Sequence, residues 1–288
     1  MNKNLAQRTC LLKIFKPVLK FEVENGMKHC LWLTDLHVDR LSKQDYRHLL
    51  HRIHNAAADA IWITGDIGNP PYNWHFLETL LTYINTTVYF VLGNHDFYGL
   101  KIEEARSRAV ELMKRYANAY YLTTMPSVIC NDVVLAGVDG WANTGKIPLL
   151  EKTWDGDEIQ DWQGKTLSLL QDSMNREAKK DAEQLLIKCR QGMMNNILKK
   201  IVLLTHVPPG QACLGSGSPK SFQAKRTVYY SQALAEALNE LKTCYPDVLF
   251  NLFSGHLHCQ YHYRIGHQIH GFIMDAYHPD KPLTWISL

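Results

Sequence analysis

The sequence predicts an α/β protein built from parallel βαβ units, and three successive repeats in its first half carry that prediction. In each repeat a short run of apolar, β-branched or aromatic residues leads into polar residues and then into a segment with helical spacing of apolar side chains. The predicted strands cover residues 30–33, 60–63 and 87–91, and the predicted helices cover residues 43–57, 74–84 and 102–116. Since strands joined through helices run parallel, the polar residues that follow them are expected at one edge of a sheet.

The second half of the chain predicts a hairpin, further strands and another helix. Residues 127–130 and 133–138 flank a turn and indicate a β-hairpin. Apolar runs at residues 201–204 and 248–253 predict buried strands on either side of a helix at residues 231–241. Three short strands are expected at residues 260–265, 268–274 and 283–287.

Residues from about 145 to 200 are more charged and richer in Gln than their neighbours. Apolar positions such as Leu170, Met174 and Leu185 predict one or two amphipathic helices there. The segment is too short for a large core of its own, so we expect a helical insertion or cap. We therefore expect a single domain over residues 1–288, in which residues 1–27 form an N-terminal arm or edge strand.

Composition narrows the class of protein. The chain has 288 residues, of which 46% are hydrophobic and 20% are charged, and this is enough for a large core. The formal net charge is +3 without a dense basic block, so we expect neither nucleic acid nor a membrane as a partner. Seven cysteines form no Cys-x-x-Cys pair, which indicates reduced thiols and a cytoplasmic protein. No apolar run reaches the roughly 18 residues of a membrane span, and no secretory signal pattern is present.

Five of the predicted strand ends carry side chains that bind metal ions. They read Asp-x-His, Gly-Asp, Gly-Asn-His-Asp, a single His, and Gly-His-x-His, and their seven candidate ligands are Asp35, His37, Asp66, Asn94, His206, His256 and His258. Two carboxylates, four imidazoles and one amide are more than one small divalent ion needs, and they divide over two ions if one carboxylate bridges. Gly65 and Gly255 allow close backbone approach beside these ligands.

In this order, the motifs resemble those of the calcineurin-like metallophosphoesterase superfamily. The resemblance runs from about His29 to the end of the chain. It implies a four-layer α-β-β-α sandwich with two mixed sheets and a binuclear metal site at the strand ends. It further implies two ligand sets that share Asp66 as a bridge: Asp35, His37, Asp66 and His258 for one ion, and Asp66, Asn94, His206 and His256 for the other. The ions would be divalent or mixed-valence Mn, Fe, Zn or Ni.

The resemblance also implies a mechanism. A hydroxide that bridges the two metals would attack phosphorus, because bound metals lower the pKa of water and polarise the phosphoryl oxygens. His95 would contact the phosphate and protonate the leaving group, and Asp96 would orient His95.

Departures from subfamily patterns narrow the substrate. Protein Ser/Thr phosphatases of this superfamily carry Arg before Gly-Asn-His and Glu after it, whereas here Leu92 precedes the motif and Asp96 follows it. We therefore expect a phosphoesterase that hydrolyses a small phosphomonoester, phosphodiester or nucleotide. The alternatives are a nuclease, which the absence of a basic-aromatic stripe disfavours, and a metal-binding scaffold without turnover, which the complete set of motifs disfavours.

Overall fold

Three βα repeats form the first half of the protein. The computed structural model describes residues 27–130, 132–143, 149, 151, 153–194, 198–214 and 228–288. Its first elements are β1 (His29–Leu33), α1 (Lys43–Asn55), β2 (Ala60–Thr64), α2 (Tyr72–Tyr83), β3 (Thr87–Val91) and α3 (Ile102–Arg115). β1, β2 and β3 pair in parallel, with Leu31 opposite Ile61 and Trp62 opposite Tyr89. The predicted βαβ units are thus confirmed, with helix ends that differ from the prediction by one or two residues.

Two further strands complete the first sheet. β4 (Ala119–Tyr121) pairs in parallel with β3, and β11 (Thr284–Ser287) pairs antiparallel with β1. The strand order is β11-β1-β2-β3-β4, so the sheet is mixed. The sequence does not predict β4, because three residues are too few to show a strand period and, unlike the equally short β5, β4 has no hairpin turn beside it.

The second sheet contains the remaining strands. They are β5 (Val128–Cys130), β6 (Val133–Gly137), β7 (Lys200–Leu204), β8 (Leu249–Ser254), β9 (Tyr261–Ile265) and β10 (Ile269–Ile273), in the order β5-β6-β7-β8-β10-β9. β5 and β6 pair antiparallel and confirm the predicted hairpin, although its turn residue Asn131 lies outside the described residues. β6, β7 and β8 run parallel, so their carboxyl ends share one edge.

The two sheets pack against each other through alternate residues of their strands. Trp32 and Trp62 face Phe253 of the other sheet, with ring centroids 5.0 and 5.3 Å apart. The intervening residues, Ile61 and Ile63, lie in a separate apolar cluster that includes helix residues. Because successive strand side chains point to opposite faces, each sheet is buried between the other sheet and a helical layer. The structure confirms the expected α/β fold with two mixed sheets.

In the described part of the segment that follows β6 there are two helices, α4 (Trp154–Glu158) and the 27-residue α5 (Leu167–Met193). α5 packs against β6 and against α6 (Gln232–Cys244), which precedes β8. Its buried apolar side chains recur at helical spacing, as at Leu170, Met174 and Ala178. The predicted amphipathic helices are therefore confirmed, and α5 contributes to the layer that covers the second sheet.

Residues 1–26 lie outside the described part of the chain, so the N-terminal arm and the single-domain boundary at residues 1–288 stay predictions. Of the helices in the described residues, none has both the length and the apolar character that a membrane span requires.

A buried ionic network links the two sheets next to the strand ends. Asp139, directly after β6, accepts hydrogen bonds from the backbone N–H of Leu92 at 3.0 Å and from the hydroxyl of Tyr121. Arg106 of α3 donates to Asp139 at 3.0 Å and to Asp181 of α5 at 3.1 Å. These groups are at most 7% exposed. The network therefore ties α3, α5 and β6 to the loop after β3.

Candidate metal centre

The seven predicted ligands lie at the carboxyl ends of five strands. Those of the first sheet follow β1, β2 and β3, and they are Asp35, His37, Asp66 and Asn94. Those of the second sheet follow β7 and β8, and they are His206, His256 and His258. The structure brings all seven to one edge that both sheets share, which is where parallel α/β folds place their ligands.

The backbone at these positions is unusual. Outside glycine, six described residues have positive φ, and five of them are predicted ligands: Asp35, His37, Asp66, His256 and His258, with φ between 42° and 71°. Asp and His enter the left-handed region more readily than most residues, but each such position still costs on the order of 1–3 kcal/mol. Strain concentrated on five candidate ligands is typical of a site whose geometry serves function.

Glycines allow the loops to approach the carboxylates. A Cβ on Gly255 would lie 2.0 Å from Oδ2 of Asp35, and a Cβ on Gly93 would lie 2.2 Å from Oδ1 of Asp66. Gly65 has a φ of +85°, and a Cβ there would lie 2.8 Å from Nδ1 of His206. The predicted role of Gly65 and Gly255 in close approach is confirmed.

Four ligands form a first cluster. Asp35, His37, Asp66 and His258 each offer one ligand atom within 4.8 Å of all the others. The Nε2 atom of His258 lies 3.1 Å from Oδ1 of Asp35 and 3.2 Å from Nε2 of His37. This is the set that the resemblance implies for one ion.

Electrostatics keeps His37 and Asp35 of the first cluster in the protonation states that bind metals, whereas the hydrogen bond to Asp35 raises the pKa of His258. Burial lowers the pKa of His37 to about 4, so its imidazole is neutral at pH 7. Burial alone would raise the pKa of Asp35, but the hydrogen bond from His258 and the charge of His206 bring it below its ordinary value. A neutral imidazole beside an ionised carboxylate is the form in which both side chains bind metals.

The other ligands form a second cluster around His206. Its Nε2 lies 3.0 Å from Oδ1 of Asn94 and 3.3 Å from Oδ1 of Asp66. The rings of His206 and His256 are 5.0 Å apart, centroid to centroid. Burial lowers the pKa of His206, but the adjacent Asp66 carboxylate outweighs it and raises that pKa to about 10. Without metal the ring is thus cationic, and a metal ion would replace its proton.

Backbone carbonyls fix the rings of the second cluster. Nδ1 of His206 donates to the carbonyl of Thr64 at 2.9 Å, so Nε2 faces Asp66 and Asn94. Nε2 of His256 donates to the carbonyl of Val228 at 2.7 Å and leaves Nδ1 as the ligand atom. Metal-binding histidines commonly donate their second ring N–H in this way, which sets the tautomer.

The donor set fits two metal ions. Asp35 and Asp66 are at most 1% exposed, and within the described residues their ion-pair partners are histidines rather than Lys or Arg. Burial of two carboxylates is costly unless cations compensate them, and divalent ions in both clusters would do so. Asp66 belongs to both clusters, as a bridging ligand must.

His95 lies at the rim of both clusters. Its Nε2 is 4.0 Å from Oδ2 of Asp66, and its ring packs against that of His37 with centroids 4.7 Å apart. Nδ1 of His95 donates to Oδ1 of Asn69 at 2.9 Å. Asn69, in the loop after β2, therefore orients the imidazole.

Asp96 has a different place from the predicted one. Its carboxylate accepts hydrogen bonds from the backbone N–H groups of Gly93, Gly68 and Ile67 and from the side chain of Asn73. Within the described residues it makes no hydrogen bond to His95, so the prediction that it orients His95 is wrong. Burial, together with the charge of Asp66, raises its pKa to about 7. Asp96 holds the loops after β2 and β3 together instead.

Two further residues of the site were not predicted. Asp155 of α4 accepts hydrogen bonds from Nδ2 of Asn94 at 2.9 Å and from the hydroxyl of Tyr98 at 2.8 Å. The sequence carries no signal for the first contact, because 61 residues separate the two partners. Asn69 was within reach of prediction, since it ends the Gly-Asp loop that carries Asp66.

Comparison with known proteins identifies the family. The calcineurin-like phosphoesterase family matches residues 29–260, which include all seven candidate ligands. The chain belongs to this family, and its fold and its cluster of acidic and histidine side chains agree with the assignment.

Individual relatives cover different shares of the chain. UDP-2,3-diacylglucosamine hydrolase of Coxiella burnetii is 37% identical over 82 residues, which are 25% of this chain and 34% of that protein. The chain thus matches about a third of the length of this curated relative. The structure of phosphopantetheinyl hydrolase from Mycobacterium tuberculosis aligns with 91% of this chain and 96% of its own, with a TM-score of 0.61 and 14% identity. A Thermus thermophilus structure aligns with 87% of this chain and 90% of its own, with a TM-score of 0.51 and 13% identity.

Proposed function

We propose that the protein hydrolyses a small phosphomonoester, phosphodiester or nucleotide at a binuclear metal centre formed by the seven ligands. The observation that carries the proposal is their convergence from both sheets around Asp66, with five of them in left-handed backbone. Asp35, His37, Asp66 and His258 would hold one ion, and Asp66, Asn94, His206 and His256 would hold the other. When bound, two divalent ions polarise the phosphoryl oxygens and supply a hydroxide nucleophile near neutral pH.

His95 is the proposed general acid. Since Nδ1 donates to Asn69, the other nitrogen, Nε2, faces the Asp66 side of the site, where the phosphoryl group would bind. When both ring nitrogens carry a proton, the proton on Nε2 can pass to the leaving oxygen as the phosphorus–oxygen bond breaks, while Nδ1 keeps its hydrogen bond to Asn69. Asn69 holds the ring in this orientation, and Asp96 supports the loop that carries it.

The substrate is proposed to be small. The net charge of +3 gives little electrostatic support for binding a nucleic acid backbone, so the nuclease alternative is less favoured. The name of the C. burnetii relative gives a UDP-sugar as its substrate, which supports testing nucleotide-linked esters beside simple ones. The scaffold alternative predicts metal binding without turnover.

A substrate panel with metal-loaded protein tests the proposal. The apoprotein is prepared with a chelator and reloaded with Mn²⁺, Zn²⁺, Fe²⁺ or Ni²⁺. It is then assayed with an aryl phosphomonoester, an aryl phosphodiester, cyclic nucleotides and a UDP-sugar. We expect turnover of at least one substrate that depends on added metal and disappears in Asp66→Asn.

If the protein hydrolyses none of these substrates with any of the metals, the proposal is overturned and the alternative of a metal-binding scaffold without turnover is favoured. Degradation of single- or double-stranded nucleic acid, without turnover of the small substrates, would favour the nuclease. His75→Ala on the exposed face of α2 serves as the control variant and should keep wild-type turnover.

A further inference from the structure

The carboxylate of Asp155 reaches a proposed metal ligand from a segment without family motifs. We infer that Asp155 is a positioning residue which, together with Tyr98, fixes the side-chain amide of Asn94 with its oxygen toward the metal centre. The inference rests on the proposed function, because it concerns how one of the proposed ligands is held. The inference assigns α4 a role in the metal site, so that α4 is more than part of a separate helical cap.

The hydrogen-bonding chemistry of three groups sets the orientation of the amide. Nδ2 of Asn94 lies 2.9 Å from Oδ1 of Asp155 and 3.1 Å from the hydroxyl of Tyr98. An ionised carboxylate can only accept hydrogen bonds, so the NH₂ group of Asn94 must face it. Oδ1 of Asn94 is therefore directed to the other side, where Nε2 of His206 lies 3.0 Å away. A flipped amide would place two acceptor oxygens against each other.

Tyr98 forms hydrogen bonds to both Asp155 and Asn94. Its hydroxyl donates to Oδ1 of Asp155 at 2.8 Å and accepts from Asn94. Burial and the adjacent Asp155 charge raise the pKa of Tyr98 well above its ordinary value, so the hydroxyl keeps its proton. The ring of Tyr98 also packs against that of His95, with centroids 4.4 Å apart. The Asp155–Tyr98 pair thus contacts both a proposed ligand and the proposed general acid.

α4 itself is held firmly against the start of α3. Thr153 caps it by accepting from the backbone N–H of Gly156 at 3.1 Å. The N–H of Gly99 donates to the carbonyl of Glu158 at 2.9 Å, and the N–H of Ile102 donates to Asp161 at 2.7 Å. Because these bonds fix the backbone on both sides of the contact, Asp155 acts from a rigid support, which positioning of a ligand requires.

Mn²⁺ binding tests the role directly. Isothermal titration of metal-free protein with Mn²⁺ is compared for wild type, Asp155→Ala, Asp155→Asn and the exposed control Glu158→Gln. We expect Asp155→Ala to weaken one of two Mn²⁺ equivalents by about 10- to 100-fold, as loss of an outer-shell partner does. Asp155→Asn keeps an acceptor oxygen and should retain most of the affinity, and Glu158→Gln should match wild type. Electron paramagnetic resonance should show the spin-coupled Mn²⁺ pair at lower occupancy in Asp155→Ala.

Two results would overturn the inference: unchanged affinity for both equivalents in Asp155→Ala, or equal losses in Asp155→Ala and Asp155→Asn. If Asp155→Ala does not fold by circular dichroism, Tyr98→Phe decides, since it removes the hydroxyl that holds both partners. Unchanged Mn²⁺ affinity in Tyr98→Phe would then overturn it. A wild-type protein that binds two Mn²⁺ ions but hydrolyses no ester would instead refute the proposed function, while the binding comparison still decides the role of Asp155.

Discussion

At the scale of single residues, the proposed site assigns metal binding and proton transfer to different imidazoles. His95 is next to a proposed ligand in sequence, yet its Nδ1 hydrogen bond to Asn69 and its 4.0 Å distance to Asp66 place it beside the ligand clusters. His206, by contrast, lies directly between Asn94 and Asp66. The two imidazoles should therefore respond differently to substitution: loss of His206 would remove a proposed ligand, whereas loss of His95 would remove the proposed proton donor.

Substitution of His95 should affect turnover according to the leaving group. His95→Ala should lower turnover by about 10²- to 10⁴-fold for an alkyl phosphoester, because its alkoxide leaves poorly without a proton. The loss should be much smaller for a p-nitrophenyl ester, whose leaving group needs no protonation. Bound metal, measured by inductively coupled plasma mass spectrometry, should stay at the wild-type level. Equal losses for both esters would contradict the role as general acid.

The sequence predicted which candidate ligands the fold brings together, but not the side chains that support them. Ligands follow strand ends, so their order along the chain and their motif residues are visible locally. Asp155 acts through a contact across 61 residues that no local pattern encodes, whereas Asn69, 26 residues from His95, ends the loop that carries Asp66 and was within reach of prediction. The error at Asp96 has a local cause. Residues 94–97 form a single 3₁₀ turn after Gly93, and the carboxylate at its third position reaches back to the N–H of Gly93 rather than toward its neighbour His95.

At the scale of elements, the predicted strands and helices are present because each long element has a clear apolar period. β4 was not predicted because it is short and, unlike β5, has no hairpin turn beside it. The ionic network around α5 was not predicted because its members are far apart in sequence. Lys188 of α5 is an example. It is buried and donates to the carbonyls of Leu122, Thr123 and Gly137 at 2.6 to 2.8 Å. Charged residues along a helix usually indicate a solvent-exposed face. Only the tertiary structure could therefore show that this ammonium group lies inside the protein.

The buried Lys188 predicts a pH-dependent stability. Burial lowers its pKa from 10.5 to about 8, although Asp181 and Asp139 oppose the shift. Between these two pH values the unfolded chain binds more protons than the folded one, so the free energy of unfolding should rise with pH. The slope contributed by this group is at most about 1.4 kcal/mol per pH unit. Below pH 8 the lysine is charged in both states, and its contribution should be constant.

Urea unfolding between pH 7 and pH 10.5 measures this contribution. The difference in unfolding free energy between wild type and Lys188→Met should stay constant below pH 8 and then shift in favour of wild type. Lys179→Met, an exposed substitution on the same helix, should follow wild type throughout. Parallel curves for wild type and Lys188→Met would show that Lys188 titrates normally.

At the scale of the whole molecule, the proposed metal centre lies where the two sheets meet. Four proposed ligands come from the loops of the first sheet and three from those of the second, and Asp66 contacts His206 across the boundary. In the metal-free protein, strained loops bring two buried carboxylates together, which opposes folding. Metal binding to the folded state alone should offset this cost, because the unfolded chain has no preformed site.

Metal ions should therefore raise the temperature of unfolding, independently of any substrate. At a free metal concentration about 100-fold above Kd, each ion stabilises the folded state by about 2.7 kcal/mol, which corresponds to roughly 5 °C or more for a chain of this size. Differential scanning calorimetry of chelator-treated and Mn²⁺-loaded protein measures the shift. Asp66→Asn should lose most of it, since Asp66 belongs to both clusters, whereas His75→Ala should keep it. If Asp66→Asn gained as much from Mn²⁺ as wild type does, the ions would bind elsewhere, and the two sheets would not be joined through a bridging carboxylate.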